Sequence, residues 1–170
     1  MDLTDKIRVI EDFPEEGIKF KDITTLLKDI EAYQAAIDQF VDRYQDCDID
    51  VVVGIESRGF LVGAPLALEL GKSFVPARKE GKLPAEVVRA EYDLEYGTSI
   101  LELHCDAIDP GDKVLIVDDL LATGGTVEAA VSLVEELGGE VVELAFLIEL
   151  SFLEGRDELT DHDIYSVIIE

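Results

Sequence analysis

Residues 114–126, VLIVDDLLATGGT, constrain the fold of this chain more than any other segment. Four consecutive apolar residues, Val114 to Val117, predict a buried strand, and the carboxylates of Asp118 and Asp119 follow at its carboxyl end. The sequence ATGGT comes next, and apolar residues at helical spacing begin directly after it. A strand, a glycine-rich turn and a helix in this order are typical of a parallel α/β sheet, in which ligands bind at the carboxyl ends of the strands.

The residue types in this segment suit a ribose phosphate. Paired carboxylates accept hydrogen bonds from vicinal hydroxyls, so Asp118 and Asp119 are candidates for binding the 2′ and 3′ hydroxyls of a ribose. Successive backbone N–H groups at a helix N-terminus bind phosphate, and glycines let the backbone come close to the anion. The candidate phosphate-binding residues are Ala122, Thr123, Gly124, Gly125 and Thr126. Two alternatives are a strand-turn-helix joint whose acids only cap the helix, and an acidic pocket like that of a response regulator.

Apolar periodicity predicts alternating helices and strands along the rest of the chain. Helices are predicted at residues 33–44, 60–70 and 127–137, with Gly71 ending the second and Gly138 the third. Strands are predicted at residues 51–53, 74–77, 100–103, 114–117, 141–147 and 165–169. Residues 78–98 show no sustained period and are predicted to be a long loop with a functional or mobile role. These elements predict one α/β domain over residues 1–170, with a mainly parallel central sheet flanked by helices.

The net charge of -25, from 39 acidic and 14 basic side chains, is the most unusual global property of the sequence. Such a charge disfavours nucleic acid or an anionic membrane as a partner. Adaptation to a salty cytosol and engineering for solubility would each explain it. The first residues, MDLTDKIRVIEDF, carry acids, and no apolar run approaches the roughly 18 residues needed to cross a bilayer, so we expect a soluble, cytoplasmic protein.

The cysteines and histidines are predicted to be structural. Cys47 and Cys105 have no CxxC or metal-type spacing, so we expect them to be small core residues and not a disulfide or metal ligands. His104 and His162 are too far apart in sequence to form a local metal signature. The sequence therefore offers no local set of metal ligands.

Residues 114–126 match the phosphoribosyl pyrophosphate signature, and on this motif the chain resembles the type I phosphoribosyltransferases. The resemblance implies that the donor substrate is 5-phosphoribosyl 1-pyrophosphate, bound with Mg²⁺. In that family the metal is held mostly by the pyrophosphate, the ribose hydroxyls and water, so no protein ligands for it are expected. The resemblance also implies the type I fold, with an N-terminal hood at about residues 1–30, a mobile catalytic loop at residues 78–98, and a homodimer.

Ala122 bears on the identity of the base. Members of the family that use 6-oxopurines usually carry an aspartate directly before the Thr-Gly of the signature, where it serves the N7 side of the base; here that position is Ala122. Leu94-Glu95-Tyr96-Gly97 resembles the loop of the members that use adenine, whose glutamate assists proton transfer at the purine. The resemblance therefore implies that Glu95 is catalytic and that Tyr96 is a loop residue of the site.

Residues 12–22 resemble the adenine-binding hood of the same family. The resemblance implies that Phe20 stacks on the base and that backbone groups at Lys19 meet its Watson–Crick edge, with a carbonyl accepting from the 6-amino group and an N–H donating to N1. A 6-oxopurine reverses both hydrogen bonds, so this match discriminates strongly against it. Lys21 is the third adenine-binding candidate and stands where some relatives have arginine.

Two further segments supply candidates for pyrophosphate binding. Glu56-Ser57-Arg58-Gly59 resembles the family's pyrophosphate loop, which implies that Ser57 contributes to it and that Arg58 faces the leaving group. Residues 78–84, RKEGKLP, retain several cations in a chain with only 14. These cations are Arg78, Lys79 and Lys82. Glu80 lies among them and lowers the local positive charge, and in the family such basic residues act across a dimer interface.

These resemblances together imply attack by adenine N9 on C1′ of the donor, giving AMP and pyrophosphate in purine salvage. The implied catalytic residues are Glu95, Arg58 and Lys82. Two alternatives are a phosphoribosyltransferase for hypoxanthine, guanine or xanthine, and a non-catalytic sensor of the donor. A sensor that controls transcription would need a nucleic-acid-binding surface, which a net charge of -25 does not favour.

Overall fold

The computed structural model describes residues 1–94 and 97–170. Its strands are β1 (Arg8–Glu11), β2 (Lys19–Asp22), β3 (Val51–Ile55), β4 (Ser73–Lys79), β5 (Val87–Leu94), β6 (Gly97–His104), β7 (Lys113–Leu121), β8 (Glu140–Glu149) and β9 (Ile164–Ile169). Its α-helices are α1 (Thr24–Lys28), α2 (Ile30–Tyr44), α3 (Arg58–Leu70) and α4 (Gly125–Glu136). Short 3-10 helices span Thr4–Lys6, Ser151–Leu153 and Gly155–Leu159.

A seven-stranded sheet forms the centre of the fold, with the strand order β5-β6-β4-β3-β7-β8-β9. β4, β3, β7, β8 and β9 run parallel to one another, whereas β6 pairs antiparallel with both β4 and β5. β1 and β2 form a separate antiparallel hairpin, which together with its loop (residues 8–22) we call the hood hairpin. The predicted α/β class, with a mainly parallel sheet flanked by helices, is confirmed.

Helices cover both faces of the sheet and make two apolar cores. On one face, α2 and α3 pack Phe40 and Leu66 against the sheet, and both side chains are fully buried. On the other face, α4 packs Ala130 and Val134 against it. The central strands are therefore covered on both sides, which explains why β3 is an uninterrupted run of buried residues without alternation.

The predicted helices are confirmed, and the strands are present with longer bounds than their apolar runs suggested. α3 ends where Gly71 takes a φ of 65°, a left-handed conformation that glycine adopts without strain. α2 begins at a cap that was not predicted, because the Asp29 side chain accepts hydrogen bonds from the N–H groups of Glu31 and Ala32. None of the described helices is both long enough and apolar enough to cross a membrane.

The prediction that residues 78–98 form a long loop without secondary structure is wrong. The first two residues of this segment end β4, and its described residues from 87 onward form β5 and the start of β6, which pair as an antiparallel hairpin. Every second residue along β5 packs against the core on the α4 face; these residues are Val88, Ala90 and Tyr92. Ala90 is small and Tyr92 carries a hydroxyl, and charged residues separate the three inward positions. The alternation of apolar and polar residues that predicts a strand is therefore weak in this segment.

The prediction that the cysteines are small core residues is also wrong, because Cys47 and Cys105 are both exposed. Each lies in a turn shortly after a regular element, Cys47 after α2 and Cys105 after β6. The chain returns to the surface at these turns. The apolar character of a thiol favours burial but does not predict where the chain turns. Both thiols are free.

Candidate active site

The carboxyl ends of β3 and β7 lie side by side, because these parallel strands are neighbours in the sheet. Asp118 and Asp119 lie near the end of β7, and the turn from β3 into α3 brings Arg58 to them. Nε of Arg58 donates to Oδ2 of Asp119 at 2.6 Å, and the Asp119 side chain is 7% exposed. The structure therefore joins a predicted ribose-binding residue to a predicted pyrophosphate-binding residue from a distant part of the chain.

Gly59 permits this close approach of α3 to β7. A Cβ at this position would lie 2.8 Å from Oδ1 of Asp118 and 3.0 Å from the carbonyl oxygen of Val117. Cβ atoms in proteins do not come so close to other heavy atoms, so a side chain here would push α3 away from the carboxylates. Gly59 is thus a site residue whose role the sequence motif alone did not reveal.

The two carboxylates have different environments. Burial raises the pKa of Asp118 well above its ordinary value of 3.8, and the neighbouring charge of Asp119 raises it further. The backbone N–H of Asp119 donates to Oδ1 of Asp118 at 2.8 Å, but this hydrogen bond does not offset the burial. Without a ligand, Asp118 therefore keeps its proton to a higher pH than an ordinary aspartate, whereas the carboxylate of Asp119 is paired with Arg58.

The predicted phosphate loop connects β7 to α4 and surrounds a cavity of about 80 Å³, which we call the loop cavity. Gly124 precedes α4 with a φ of 95°, a conformation that is strained for residues with a Cβ. The first backbone N–H groups of an α-helix have no partner within the helix, so the start of α4 offers donors to an anion. All five predicted phosphate-binding residues line the loop cavity: Ala122, Thr123, Gly124, Gly125 and Thr126.

Gly155 supports the phosphate loop from the segment that follows β8, and it was not predicted as a site residue. A Cβ at residue 155 would collide with the carbonyl oxygen of Ala122. The Gly155 carbonyl and the buried side chain of Leu159 also lie within 3.0 to 3.5 Å of where a Cβ on Gly124 would stand. The 3-10 helix Gly155–Leu159 is therefore packed directly against the phosphate loop.

A second cavity, of about 440 Å³, adjoins the Arg58–Asp119 pair and the β5–β6 hairpin, and we call it the cation cavity. It brings together residues predicted to bind pyrophosphate, ribose and phosphate, namely Ser57, Arg58, Lys79, Asp118, Asp119 and Thr126. Within the described part of the chain, the predicted cations Arg78 and Lys82 do not line it, and Lys82 is exposed. Asp118 and Thr126 also line the loop cavity, so the two cavities are adjacent.

Glu56 holds the segment of β4 that carries two of the predicted cations. Its Oε2 accepts from the backbone N–H of Lys79 at 2.7 Å, and its Oε1 accepts from Nη2 of Arg78 at 3.3 Å. Burial acts to raise the pKa of Glu56, but these hydrogen bonds and the charges of Arg78 and Lys82 outweigh it, so the pKa lies below the ordinary 4.5. Glu56 is therefore ionised at neutral pH, and a cis peptide bond joins it to Ser57.

A third cavity, of about 960 Å³, lies between the hood hairpin and the phosphate loop, and we call it the hood cavity. Its lining from the hood hairpin comprises Gly17, Ile18, Lys19 and Lys21. Ala122, Thr123, Gly125 and Thr126 line it from the phosphate loop. Several residues from the end of the chain also line it but were not predicted as site residues: Leu150, Phe152, Leu153 and Glu170. No local motif distinguishes these four in the sequence.

Phe20, the predicted base-stacking residue, lies between an aromatic ring and a cation. Phe13 stands edge-on to it, with 5.2 Å between the ring centroids and 77° between the ring planes. The guanidinium carbon of Arg58 lies 5.2 Å from the centroid of the Phe20 ring, a distance typical of a cation–π contact. Arg58 therefore contacts both the carboxylate of Asp119 and the ring of Phe20, which was not predicted.

Glu95 and Tyr96, the predicted catalytic glutamate and its neighbour, lie outside the described residues. β5 ends at Leu94 and β6 begins at Gly97. Leu94 lines both the cation cavity and the hood cavity. The roles of Glu95 and Tyr96 stay predictions.

Comparison with known proteins defines the class of this chain. The family model described as Phosphoribosyl transferase domain matches residues 22–169. The adenine phosphoribosyltransferase of Alkaliphilus metalliredigens (strain QYMF) is 61% identical over 168 residues, which are 99% of this chain and 99% of that protein. The adenine phosphoribosyltransferase of Halothermothrix orenii is 58% identical over 170 residues, 100% of both chains. The chain is a member of the phosphoribosyltransferase family.

Solved structures agree with these relatives. The crystal structure of adenine phosphoribosyltransferase from Thermoanaerobacter pseudethanolicus is 53% identical, with a TM-score of 0.97, over 99% of this chain and 98% of that chain. The Giardia lamblia enzyme complexed with 9-deazaadenine is 40% identical, with a TM-score of 0.95, over 99% of this chain and 96% of that chain. The chain belongs to the adenine phosphoribosyltransferases within the phosphoribosyltransferase family.

Proposed function

We propose that this chain transfers the 5-phosphoribosyl group from 5-phosphoribosyl 1-pyrophosphate to N9 of adenine, giving AMP and pyrophosphate in purine salvage. The observation that carries the proposal is the contact of Arg58 with both Asp119 and Phe20, where the cation cavity and the hood hairpin meet. Two structural relatives support it by their ligands. The Giardia lamblia structure contains 9-deazaadenine, and the Trypanosoma brucei structure contains AMP, pyrophosphate and ribose-5-phosphate.

The donor occupies the loop cavity and the cation cavity together. Its 5′-phosphate accepts hydrogen bonds from the N–H groups of residues 122–126, and its ribose hydroxyls donate to Asp118 and Asp119. Its pyrophosphate extends into the cation cavity. Because Asp118 and Thr126 line both cavities, one extended molecule can bind to both at once.

The proposed pyrophosphate-binding residues are Ser57, Arg58, Arg78, Lys79 and Lys82. Ser57, Arg58 and Lys79 line the cation cavity, and Arg78 is held near it by Glu56. Lys82 is exposed and, in the described part of the chain, does not line the cation cavity. We propose, as the family resemblance implies, a cytoplasmic homodimer in which Lys82 reaches the partner's pyrophosphate.

Adenine binds under the hood of about residues 1–30, next to the hood cavity, whose lining among the described residues does not include Phe20. The base stacks on Phe20 when Arg58 turns from the ring toward the pyrophosphate, whose charge attracts it. The backbone carbonyl at Lys19 accepts a hydrogen bond from the 6-amino group, and the backbone N–H there donates to N1. Lys21, in the same strand, is the third proposed adenine-binding residue. A 6-oxopurine would leave these groups unpaired, which favours adenine.

Mg²⁺ enters with the donor and is held mainly through the pyrophosphate and the ribose hydroxyls. Among the residues that the structure describes, no group of three or more His, Cys, Asp and Glu side chains is arranged to hold a metal ion. Glu56, Asp118 and Asp119 nevertheless line the cation cavity, and carboxylate oxygens suit this ion. When bound, Mg²⁺ neutralises charge on the leaving pyrophosphate.

The bond from C1′ to the pyrophosphate oxygen breaks as N9 of adenine attacks C1′, through a transition state with oxocarbenium character. Binding both substrates in one connected site supplies roughly 7–11 kcal/mol of the barrier reduction. Asp118 and Asp119 hold the ribose in place. The negative charge of Asp119 also favours the positive charge that develops on the ribose ring.

Glu95, Arg58 and Lys82 are the proposed catalytic residues. Glu95 assists proton transfer at the purine, while Arg58 and Lys82 stabilise the negative charge of the departing pyrophosphate. Residues 78–98, among them the candidate loop residue Tyr96, are proposed to close over the site and to exclude water that would hydrolyse the donor. The β5–β6 hairpin supports this role, because Leu94 borders the places proposed for both substrates.

Steady-state turnover tests the proposal. The chain is assayed with adenine, hypoxanthine, guanine and xanthine in turn, each with the donor and Mg²⁺, and pyrophosphate release is measured. We expect adenine to have a kcat/KM at least about 1,000-fold above that of each 6-oxopurine. A preference for hypoxanthine would overturn the base assignment, and no turnover of any base would favour a non-catalytic sensor of the donor.

A further inference from the structure

Lys21 of the hood hairpin forms an ion pair with Glu170, the residue that follows β9. Nζ of Lys21 donates to Oε2 of Glu170, and the two side chains are 11% and 25% exposed. Within residues 1–94 and 97–170, no other ion pair or hydrogen bond joins the hood hairpin to the chain beyond residue 25. The pair is therefore the main polar connection between the hood hairpin and the central sheet.

The backbone of Glu170 is fixed to the carboxyl end of the sheet. Its N–H donates to the carbonyl of Glu149 at 2.9 Å. Its carbonyl accepts from the N–H of Ser151 at 2.8 Å and from the Ser151 hydroxyl at 2.6 Å. β8, which ends at Glu149, pairs with β7, the strand that carries Asp118 and Asp119. The Glu170 backbone is therefore held by the central sheet, and its carboxylate contacts the hood hairpin from there.

The pair lies at the part of the hood hairpin that is proposed to bind the purine. Lys19, Lys21 and Glu170 all line the hood cavity, and Phe20 lies between the two lysines in β2. Holding the Lys21 side chain therefore sets the position of the backbone on either side of Phe20. Hydrogen-bond donors and acceptors select a base only when they are held within about 0.5 Å of the productive position.

We propose that Glu170 is a positioning residue for the purine, which it serves through Lys21 and without touching the base. The Lys21 ammonium is engaged by Glu170, so Lys21 contributes to the site through its backbone and not through its charge. Loss of the Glu170 carboxylate leaves a mostly buried ammonium without its partner and frees the hood hairpin. The inference rests on the proposed adenine reaction, and it adds a determinant of base affinity and base selectivity.

The experiment compares Glu170→Gln, Lys21→Met and the double variant with the unaltered chain. KM and kcat are measured for adenine, the donor KM is measured separately, and kcat/KM is also measured for hypoxanthine. We expect Glu170→Gln to raise the KM for adenine roughly tenfold and to lower the selectivity for adenine, with kcat and the donor KM within about twofold. In the Lys21→Met background the Glu170 substitution should add less than about twofold, because both changes remove the same contact.

Glu143→Gln is the matched control. Glu143 is 10% exposed on its side chain and is paired with Arg43 at 2.6 Å, but it lies near the start of β8, away from the carboxyl end of the sheet. Glu143→Gln should lower the melting temperature and leave the KM for adenine within about twofold. A rise in the KM for adenine equal to that of Glu170→Gln would assign the effect to general destabilisation and overturn the inference.

The outcomes separate this inference from the proposed function. No turnover of adenine by the unaltered chain defeats the proposed function. Normal turnover with an unchanged KM for adenine in Glu170→Gln defeats the inference alone. If Glu170→Gln does not fold, Lys21→Met tests the same pair from the other side, and an unchanged KM for adenine there overturns the inference as well.

Discussion

Arg58 and Asp119 form an ion pair at the carboxyl end of the sheet, with Nε of Arg58 2.6 Å from Oδ2 of a carboxylate that is 7% exposed. The same guanidinium lies against the ring of Phe20. A donor that brings hydroxyls to Asp119 and a pyrophosphate to Arg58 therefore competes with both contacts. Release of Arg58 would also uncover the ring on which adenine is proposed to stack, so we expect donor binding and base binding to be coupled through this side chain.

Arg58→Ala should lower kcat/KM at least about 100-fold, because it removes the positive charge that is proposed to stabilise the leaving pyrophosphate. It should also lower the free energy of unfolding by about 1–3 kcal/mol, since it leaves the Asp119 carboxylate buried without its partner. Steady-state kinetics and urea denaturation measure the two effects. Arg43→Ala is the matched control, because Arg43 is 50% exposed, pairs with a mostly buried glutamate and lies outside the site. It should lose stability and keep kcat/KM; an equal loss of activity in both variants would contradict the role of Arg58.

Gly59→Ala should raise the KM for the donor at least about tenfold, because the added Cβ would lie 2.8 Å from Oδ1 of Asp118 and force α3 away from the carboxylates. Gly111→Ala provides the comparison. Gly111 has a φ of 91° and no heavy atom within 4 Å of a Cβ, so its substitution introduces backbone strain without a collision. It should reduce the melting temperature and leave the donor KM unchanged. A normal donor KM in Gly59→Ala would show that α3 can shift without disturbing the site.

Asp118→Asn should abolish activity and stabilise the ligand-free protein at neutral pH. Because burial raises the pKa of Asp118, the folded protein retains a proton that the unfolded chain loses above about pH 4, so stability falls as the pH rises from there. The substitution removes this titration. Thermal melts without ligands from about pH 4 to 8 measure the gain, which should grow with pH. A difference in melting temperature that is independent of pH would contradict the raised pKa.

Asp22→Asn should destabilise the protein at neutral pH, whereas Asp118→Asn should stabilise it. Hydrogen bonds from Thr24, followed by the contact with Arg8, lower the pKa of Asp22 from 3.8 to about 2. The unfolded chain therefore binds a proton that the folded protein does not, and this stabilisation is present above about pH 4 and lost as the pH falls toward 2. The variant should melt below the unaltered chain at neutral pH, with a gap that narrows in acid. A constant gap would count against the lowered pKa.

Glu95→Gln should lower kcat at least about 100-fold while changing the donor KM little, since the glutamate is proposed to act on the purine proton. Glu91→Gln is its control, because Glu91 is an exposed acid on β5 close to the same segment. Single-turnover rates of AMP formation separate chemistry from product release. An unchanged rate in Glu95→Gln would remove this residue from the proposed mechanism.

The parts of the fold that could be predicted are those whose signals are contiguous. Residues 114–126 contain a strand, its terminal carboxylates and a helix start in a single run, and the structure has them in that order. β5 was missed because its inward residues alternate with charges and include Ala90. Cys47 and Cys105 were misplaced because a turn, and not the residue type, decides their exposure.

The contacts that escaped prediction join residues far apart in the chain. Lys21 pairs with Glu170, and neither lies in a local pattern that indicates the other. Arg58 was expected to face the leaving group, but its contact with Phe20 depends on how the hood hairpin meets α3. Such contacts follow from the three-dimensional arrangement of the elements, which periodicity and motif spacing do not specify.

The contact between Gly155 and Ala122 suggests a way to recognise distant enzymes of this kind by sequence. A side chain at residue 155 would displace the carbonyl of Ala122, so an ATGGT loop of this shape requires a glycine well downstream, at the start of the second 3-10 helix after β8. A search that requires both features would reject chains in which the short motif arises by chance. It would also separate phosphate loops that pack against a downstream glycine from those that pack against another part of the protein.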